Sequence, residues 1–138
     1  MPDSAAVDTV IIGALYSDAT LMALLPDGVF FGVAPQSKTK VAVVMLPTHV
    51  DTWIFQGTGF EESTYMIKAL VRDNSVTTAN AAAARIDALM QTLPSPVGYR
   101  IALSTRRERI AYTEPDPDNP DQMWQHRGGL YDVQVEPL

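Results

Sequence analysis

The hydrophobic period changes twice in the middle of the chain, and this change limits the folds that the chain can adopt. From Ser63 to Arg72 the pattern has a period of two, as in a strand with one covered face: one face has Tyr65, Ile67, Ala69 and Val71, and the other has Met66, Lys68, Leu70 and Arg72. From Ala79 to Leu93 apolar residues recur every three or four positions, which predicts a helix capped by Thr77 or Thr78. Alternation resumes at Tyr99. A helix placed between two such strands is expected to pack its apolar side on their covered face.

The remaining elements follow from the same two periods. A continuous apolar run at 41–46 is typical of a strand covered on both faces and placed centrally in a sheet. The other predicted elements are a helix at 7–15 capped by Asp3 or Ser4, a short helix at 19–25 capped by Asp18, and strands at 29–34, 99–104 and 131–136. The order α-β-β-β-α-β-β predicts an α+β fold, with a mixed, mostly antiparallel sheet of four to five strands and two main helices.

Length and composition limit the classes of protein to which this chain can belong. A length of 138 residues is that of one domain, which we place at 1–138. The net charge of −6 opposes nucleic-acid binding, and the absence of cysteine removes disulfides and thiolate chemistry. The start of the chain has no basic segment of a signal peptide, and no apolar run is long enough to span a membrane. We therefore expect a soluble, unprocessed protein that binds neither membranes nor specific nucleic-acid sequences.

A long aromatic connection is predicted between two of the strands. The stretch THVDTWIFQGTGFEE, residues 48–62, is too long and too apolar for a minimal hairpin turn. Its large apolar side chains either fill the core beneath a loop or form a patch that contacts a partner. The residues concerned are Trp53, Ile54, Phe55 and Phe60.

An acidic stretch near the end of the chain has four carboxylates and three prolines within eight residues. Its carboxylates are Glu114, Asp116, Asp118 and Asp121. A calcium-binding loop needs alternating ligands, a central glycine and a distal glutamate, whereas this stretch has Pro117, Asn119 and Pro120 interposed. A solvated loop stiffened by proline is therefore favoured over a metal site. Met123 and Trp124 follow as core or partner contacts, and Gly128 with Gly129 is expected to turn the backbone into the last strand.

No catalytic residue, metal site or cofactor is predicted. His49 and His126 are the two histidines that could act as a base, and neither lies in a recognisable motif. A small hydrolase or ligand-binding domain therefore remains a minor alternative. For the basic run RRER, two interpretations are open: a phosphate site, or a charged strand edge that discourages pairing with other sheets. The charged strand edge is favoured. Its three basic residues are Arg106, Arg107 and Arg109.

Taken together, the order of these elements resembles the tail terminator, or tail completion, family of long-tailed bacteriophages. The likeness covers nearly the whole chain, as a loose pattern of order and chemistry. It is carried by SDATLMALLPDGVFFGVAP, VAVVM with the aromatic segment after it, STYMIKALVRD, TTANAAAARIDALMQTL, and RRERIAYTEPDPDNPDQMWQHRGGLYDVQVE. In the family a polar or acidic connection precedes an aromatic residue, a histidine or arginine, a glycine and a final strand of the YDVQV type.

The resemblance implies a structural virion protein located at the head-tail junction. Such a protein forms a homohexameric ring that caps the tail tube, ends its polymerisation and presents a surface to the head-side connector. Its partners would be further copies of itself, the tail tube protein and the connector. The resemblance implies no enzymatic activity. The alternative function is that of a head-closure or neck protein. The acidic stretch would line the channel through which DNA passes or select a basic partner on a flat face, and we favour the channel.

Overall fold

The computed structural model describes residues 5–53 and 59–138. Within these residues there are three helices and five strands: α1 (Ala5–Tyr16), α2 (Ala19–Leu24), β1 (Val29–Phe31), β2 (Lys40–Trp53), β3 (Gly59–Arg72), α3 (Thr77–Gln91), β4 (Tyr99–Pro115) and β5 (Met123–Pro137). The strands form one sheet in the order β1-β2-β3-β5-β4, with β1 parallel to β2 and every other pair antiparallel. The predicted α+β class with a mixed, mostly antiparallel sheet is confirmed.

The three helices pack on one face of the sheet, which we call the helix side; the opposite face is called the outer face. Along β3 the buried residues of the helix side alternate, as predicted, with the outer-face residues Met66, Lys68 and Leu70. The core on the helix side combines residues from all three helices and from β2, β3 and β5, among them Ile11, Leu15, Leu21, Val44, Ile67, Ile86, Met90 and Val133. The sheet therefore supplies one covered face and one face that is open for other contacts.

Two tyrosines hold the helices to the sheet. Tyr65 and Tyr131 are direct cross-strand partners on β3 and β5, and both are buried. A buried phenol hydroxyl must find an acceptor, because an unpaired one carries its full desolvation penalty. Tyr65 donates to Asp8 of α1, and Tyr131 donates to Asp87 of α3 at 3.1 Å. Burial, with the carboxylates beside them, raises the pKa of both phenols.

Asp18 connects α2 to α3. It is the predicted N-cap of α2 and accepts a hydrogen bond from the Leu21 amide at 2.9 Å. It also accepts two hydrogen bonds from the Arg85 guanidinium, at 2.7 and 2.8 Å. The Arg85 hydrogen bond is the largest cause that lowers the pKa of Asp18 from 3.8 to about 2. A lowered carboxyl pKa stabilises the fold above the unfolded-state value, and this contribution is lost as the pH falls towards 2.

The aromatic segment at 48–62, predicted as a long loop, consists largely of two paired strands. Residues 48–53 of β2 pair with residues 59–64 of β3 as the end of a hairpin. The pairing is irregular between Met45 and Thr48, where Pro47 has no amide hydrogen to donate to the ladder. Such an irregularity changes which face the following residues occupy, so the period of two is not visible across it. The loop prediction was wrong for this reason.

The last two strands are longer than the segments predicted for them. β4 continues beyond residue 104 to Pro115, and its register to β5 shifts between Ile101 and Leu103 and again between Arg106 and Glu108. The RRER run therefore lies inside β4, which is an edge strand of the sheet. β2 is an internal strand between β1 and β3, as its apolar run indicates, but the central position belongs to β3.

The ends of the helices differ in detail from the predictions. The N-cap of α3 is Val76, which makes no side-chain capping bond. The Thr77 amide instead donates to the Ser75 hydroxyl at 3.3 Å, so a serine outside the helix performs the role predicted for a threonine. The caps predicted for α1, Asp3 and Ser4, lie outside the described residues. None of the helices in the described ranges is long and apolar enough to cross a membrane.

Gly128 and Gly129 lie within β5 and do not turn the chain into it. A Cβ on Gly128 would collide with the carbonyl oxygen of Ile67 and lie 2.5 Å from the Cα of Lys68. A Cβ on Gly129 would lie 2.8 Å from the Glu108 carbonyl oxygen, next to the second register shift of β4. The glycines are needed because the backbones of β3 and β4 approach β5 closely here.

We expect Gly128→Ala to lower the free energy of unfolding by about 3 kcal/mol or more, because backbone rather than a flexible side chain blocks the added methyl group. Gly13→Ala is the matched control: Gly13 lies inside α1, and a Cβ there would meet no atom within 4 Å. The control is expected to gain about 0.5 to 1 kcal/mol. Urea unfolding followed by circular dichroism measures both changes. Equal stability of the two variants would contradict the close approach of the strands.

Candidate functional site

The acidic stretch forms a compact turn, residues 116–122, between β4 and β5. The Asp116 amide donates to the Gln122 carbonyl at 2.8 Å, and the Gln122 amide donates to the Asn119 carbonyl at 2.9 Å. The Asp116 carboxylate accepts hydrogen bonds from the amides of Asp118 at 2.8 Å and Asn119 at 3.3 Å. The turn is therefore built around one carboxylate that points inward.

Asp116 is 5% exposed, so the expectation that all four carboxylates form an exposed surface was wrong for this residue. Its second oxygen accepts the Trp124 indole N–H at 3.1 Å and lies 3.5 Å from Arg72 Nη1. The hydrogen bond from the Asp118 amide is the largest cause that lowers the pKa of Asp116. Asp118 is exposed at the surface of the turn, as is Asp121.

Trp124 anchors the turn to the end of the sheet. Its ring lies under the guanidinium of Arg72, with the Arg72 Cζ 5.9 Å from the ring centroid. The two residues are cross-strand partners on β5 and β3. They border a cleft of about 270 Å³ between the turn and the segment after β1, where Pro35 and Lys38 form the opposite wall. Met123, the neighbouring contact residue predicted from the sequence, is half-buried, and its amide donates to the Asn74 side chain.

Glu114 belongs to a second cluster on the outer face of β4 and β5. It lies 2.7 Å from Nε2 of His126, whose ring stacks on Tyr112 with centroids 4.2 Å apart. The ammonium of Lys68 donates to the Tyr112 hydroxyl at 3.2 Å. Burial lowers the pKa of His126, although Glu114 acts in the opposite direction. Glu114 is thus engaged by a histidine rather than held in the turn with the other carboxylates.

The three arginines predicted as a charged strand edge have different surroundings. The Arg107 guanidinium makes a bidentate contact with Asp132, at 2.6 and 2.9 Å, and also donates to Thr64. Arg106 lies 3.8 Å from Asp87 of α3, which is a looser ion pair. Arg109 is exposed on β4 and borders a shallow depression beside α3. Arg107 therefore has a structural contact, whereas Arg109 is presented to the surroundings.

Part of the predicted aromatic patch can be placed. Phe60 lies at the start of β3 and is half-buried, with Thr52 as its cross-strand partner. Trp53 is the last residue of β2 and pairs with Gly59. Ile54 and Phe55 lie outside the described residues. Whether these side chains fill the core or contact a partner stays a prediction.

Exposed apolar side chains that the sequence analysis did not single out lie near both edges of the sheet. On β1, Phe31 is 46% exposed, and Val33 follows it in an exposed position. On β4, Leu103 is 45% exposed and Tyr112 is exposed to the same degree. Sequence patterns could not separate these residues from buried ones, because a strand at an edge alternates in the same way as an internal strand.

His49 meets a serine and two carboxylates near the end of the β2–β3 hairpin. Its Nδ1 lies 2.9 Å from Ser63 Oγ, its Nε2 lies 2.9 Å from Asp51 Oδ1, and the same nitrogen lies 3.6 Å from Glu61 Oε1. The geometry does not favour a hydrolase, because Ser63 is 4% exposed and paired in the ladder on both sides, whereas a nucleophile must reach its substrate. Because residues 48–62 were predicted to form a loop, the sequence analysis did not place these four side chains together.

Comparisons with known proteins show similarity to solved structures. Neither a protein-family model nor a curated protein matches the chain. Among solved structures, the fold matches a chain in the virion of a native gene transfer agent particle, with a TM-score of 0.64 and 20% sequence identity. The match covers 96% of each chain. The two proteins therefore share the whole fold, from the first helix to the last strand.

We expect Asp116→Asn to lower the melting temperature at pH 7 by at least about 4 °C, because the asparagine oxygen can still accept from the turn amides but its NH2 group can neither accept from the Trp124 indole nor pair with Arg72. Asp121→Asn, at an exposed position of the same turn, is expected to stay within about 2 °C of the wild type. Because the folded-state pKa of Asp116 is lowered, the difference between wild type and Asp116→Asn should shrink as the pH falls below about 4. A constant difference from pH 7 to pH 2 would contradict this assignment.

Proposed function

We propose that this chain is a structural protein of a virion, in which it forms the ring that ends the tail tube and receives the head. The proposal depends on one observation above all, the match of the fold over 96% of both chains to a chain in a gene transfer agent virion. The order of the elements, which resembles that of phage tail terminators, supports the same assignment. A ring of this kind needs two lateral contact surfaces and two ends.

The two edges of the sheet supply the lateral surfaces. In the sheet formed by the described strands, β1 and β4 lie at opposite edges, each with exposed apolar side chains. A strand edge presents backbone groups that a neighbouring chain can pair with or cover. A contact between the β4 edge of one copy and the β1 edge of the next uses two different surfaces, and repetition of such a contact closes a ring. The resemblance gives the number of copies as six.

The two ends of the sheet supply the ends of the ring. β3 runs from the hairpin at Gly59 to Arg72, which faces Trp124 beside the acidic turn. The 14 residues of β3 separate the two regions by about 45 Å. Asp118 and Asp121 thus give one end an acidic surface, and the end of the β2–β3 hairpin at Trp53 and Gly59 belongs to the other. We assign the two ends to the two virion partners, the tube and the connector.

A mixing experiment tests the lateral contact. Phe31→Lys disables the β1 edge and Leu103→Lys disables the β4 edge, at residues of nearly equal exposure. Each variant alone is expected to stay monomeric, because the introduced charge must be desolvated in the contact. An equimolar mixture retains one intact pair of edges and should give a 1:1 dimer by native mass spectrometry. The wild type should give a ring.

The control for this experiment is Val97→Lys, since Val97 is a fully exposed apolar residue in the connection before β4. This variant is expected to assemble as the wild type does. If Leu103→Lys alone prevented assembly while Phe31→Lys assembled normally, β4 would pair with β4 in a two-fold contact. The head-to-tail ring would then be wrong.

The role in the tail is tested by complementation of particles that lack the gene. We expect tails of variable length that do not join heads, and rescue by the wild-type protein. The same assay is then repeated with the Asp118→Asn, Asp121→Asn double variant in place of the wild-type protein. If the variant gives tails of variable length, the acidic end contacts the tube. If it gives tails of normal length that lack heads, the acidic end contacts the connector. Tails of uniform length that are joined to heads in the absence of the protein would contradict the function.

A further inference from the structure

We propose that the end of the β2–β3 hairpin binds one divalent transition-metal ion, with zinc favoured, through His49, Asp51 and Glu61. One ligand atom from each of these side chains lies within 4.8 Å of the other two. Across residues 5–53 and 59–138, this is the one group of three such side chains close enough to share an ion. The proposal concerns a different part of the sheet from the acidic turn and the two edges, and it does not depend on the proposed function.

Two of the three distances between the ligand atoms fit an ion with little movement of side chains. Ligands at about 2.1 Å from a metal lie about 3.0 Å apart at a right angle and about 3.4 Å apart at a tetrahedral angle. The Nε2 atom of His49 lies 2.9 Å from Asp51 Oδ1 and 3.6 Å from Glu61 Oε1. Both separations are close to these values.

The donor set selects the class of ion. One imidazole nitrogen with two carboxylate oxygens suits zinc and related transition metals, whereas calcium and magnesium prefer oxygen ligands alone. The second ring nitrogen of His49 lies 2.9 Å from the hydroxyl of buried Ser63. With the proton on Nδ1 and donated to Ser63, Nε2 has a lone pair available for an ion that the two carboxylates also bind. A second partner that fixes the ring in this way is typical of metal-binding histidines.

The position of the ligands indicates what the ion would do. The cross-strand pairs His49 with Ser63 and Asp51 with Glu61 place the ligands on both strands. A bound ion would therefore connect β2 to β3 two residue pairs before the last described pair of the hairpin, Trp53 with Gly59. Glu61 is 2% exposed and Asp51 is exposed, so the ion enters from the side of Asp51. Three protein ligands leave at least one coordination position for water or a further ligand.

Isothermal titration of chelator-treated protein with zinc chloride tests the proposal. We expect one equivalent to bind per chain with a dissociation constant below about 10 µM, and the melting temperature to rise with zinc concentration as linkage requires. Cobalt chloride should give a visible absorption spectrum of nitrogen and oxygen ligation. Asp51→Asn, a change at an exposed position that leaves folding intact, and His49→Gln should each weaken binding at least tenfold.

The control is His126→Gln, because His126 and Glu114 form a histidine–carboxylate pair for which the described part of the chain offers no second carboxylate near enough to complete a site. This variant is expected to bind zinc as the wild type does. Three results would overturn the proposal: no zinc binding by the wild type, unchanged binding by the folded Asp51→Asn variant, or an equal loss in His126→Gln. Calcium binding as tight as zinc binding would contradict the role of the histidine.

Discussion

The cross-strand pair of Tyr65 and Tyr131 sets the arrangement of the rest of the molecule. The two phenols lie opposite each other on β3 and β5, and their hydroxyls are bound by carboxylates of α1 and α3. A slip of β5 by one residue against β3 would move Tyr131 to the outer face and leave its hydroxyl without Asp87 as an acceptor. The register that buries the tyrosines also places Arg72 opposite Trp124. The core and the anchored acidic turn therefore depend on the same pairing.

The sequence predicted the elements in which burial of one face produces a regular repeat of apolar residues. It did not predict features that depend on contacts between residues distant in sequence. The strand at 63–72 and the helix at 79–93 were predicted because one face of each is buried. The strand ends were missed, because register shifts at Met45 and Arg106 interrupt the alternation. The burial of Asp116 could not be predicted either. It depends on Arg72, which precedes it by a whole helix and strand, and the chemistry of an Asp-Pro turn alone indicates only an exposed loop.

The acidic stretch separates into parts with different physical roles. Asp116 shapes the turn from inside, Glu114 engages His126 on the outer face, and Asp118 with Asp121 remains at the surface. Only exposed carboxylates can repel DNA or select a basic partner, since an inward carboxylate is already compensated by its hydrogen bonds. Among the arginines of β4, Arg107 and Arg109 are both exposed, and the charge of Arg107 is compensated by Asp132. The proposed contacts therefore involve fewer charges than the sequence contains.

The central claim is that this fold acts as a ring at the junction between tail and head. Cryo-electron microscopy of intact particles encoded by the same genome, averaged at that junction, tests it most directly. The account predicts one ring of six copies between the last tube ring and the head-side connector, with the β1 edge of each copy against the β4 edge of its neighbour. Density for this fold elsewhere in the particle, or particles that lack it entirely, would contradict the account.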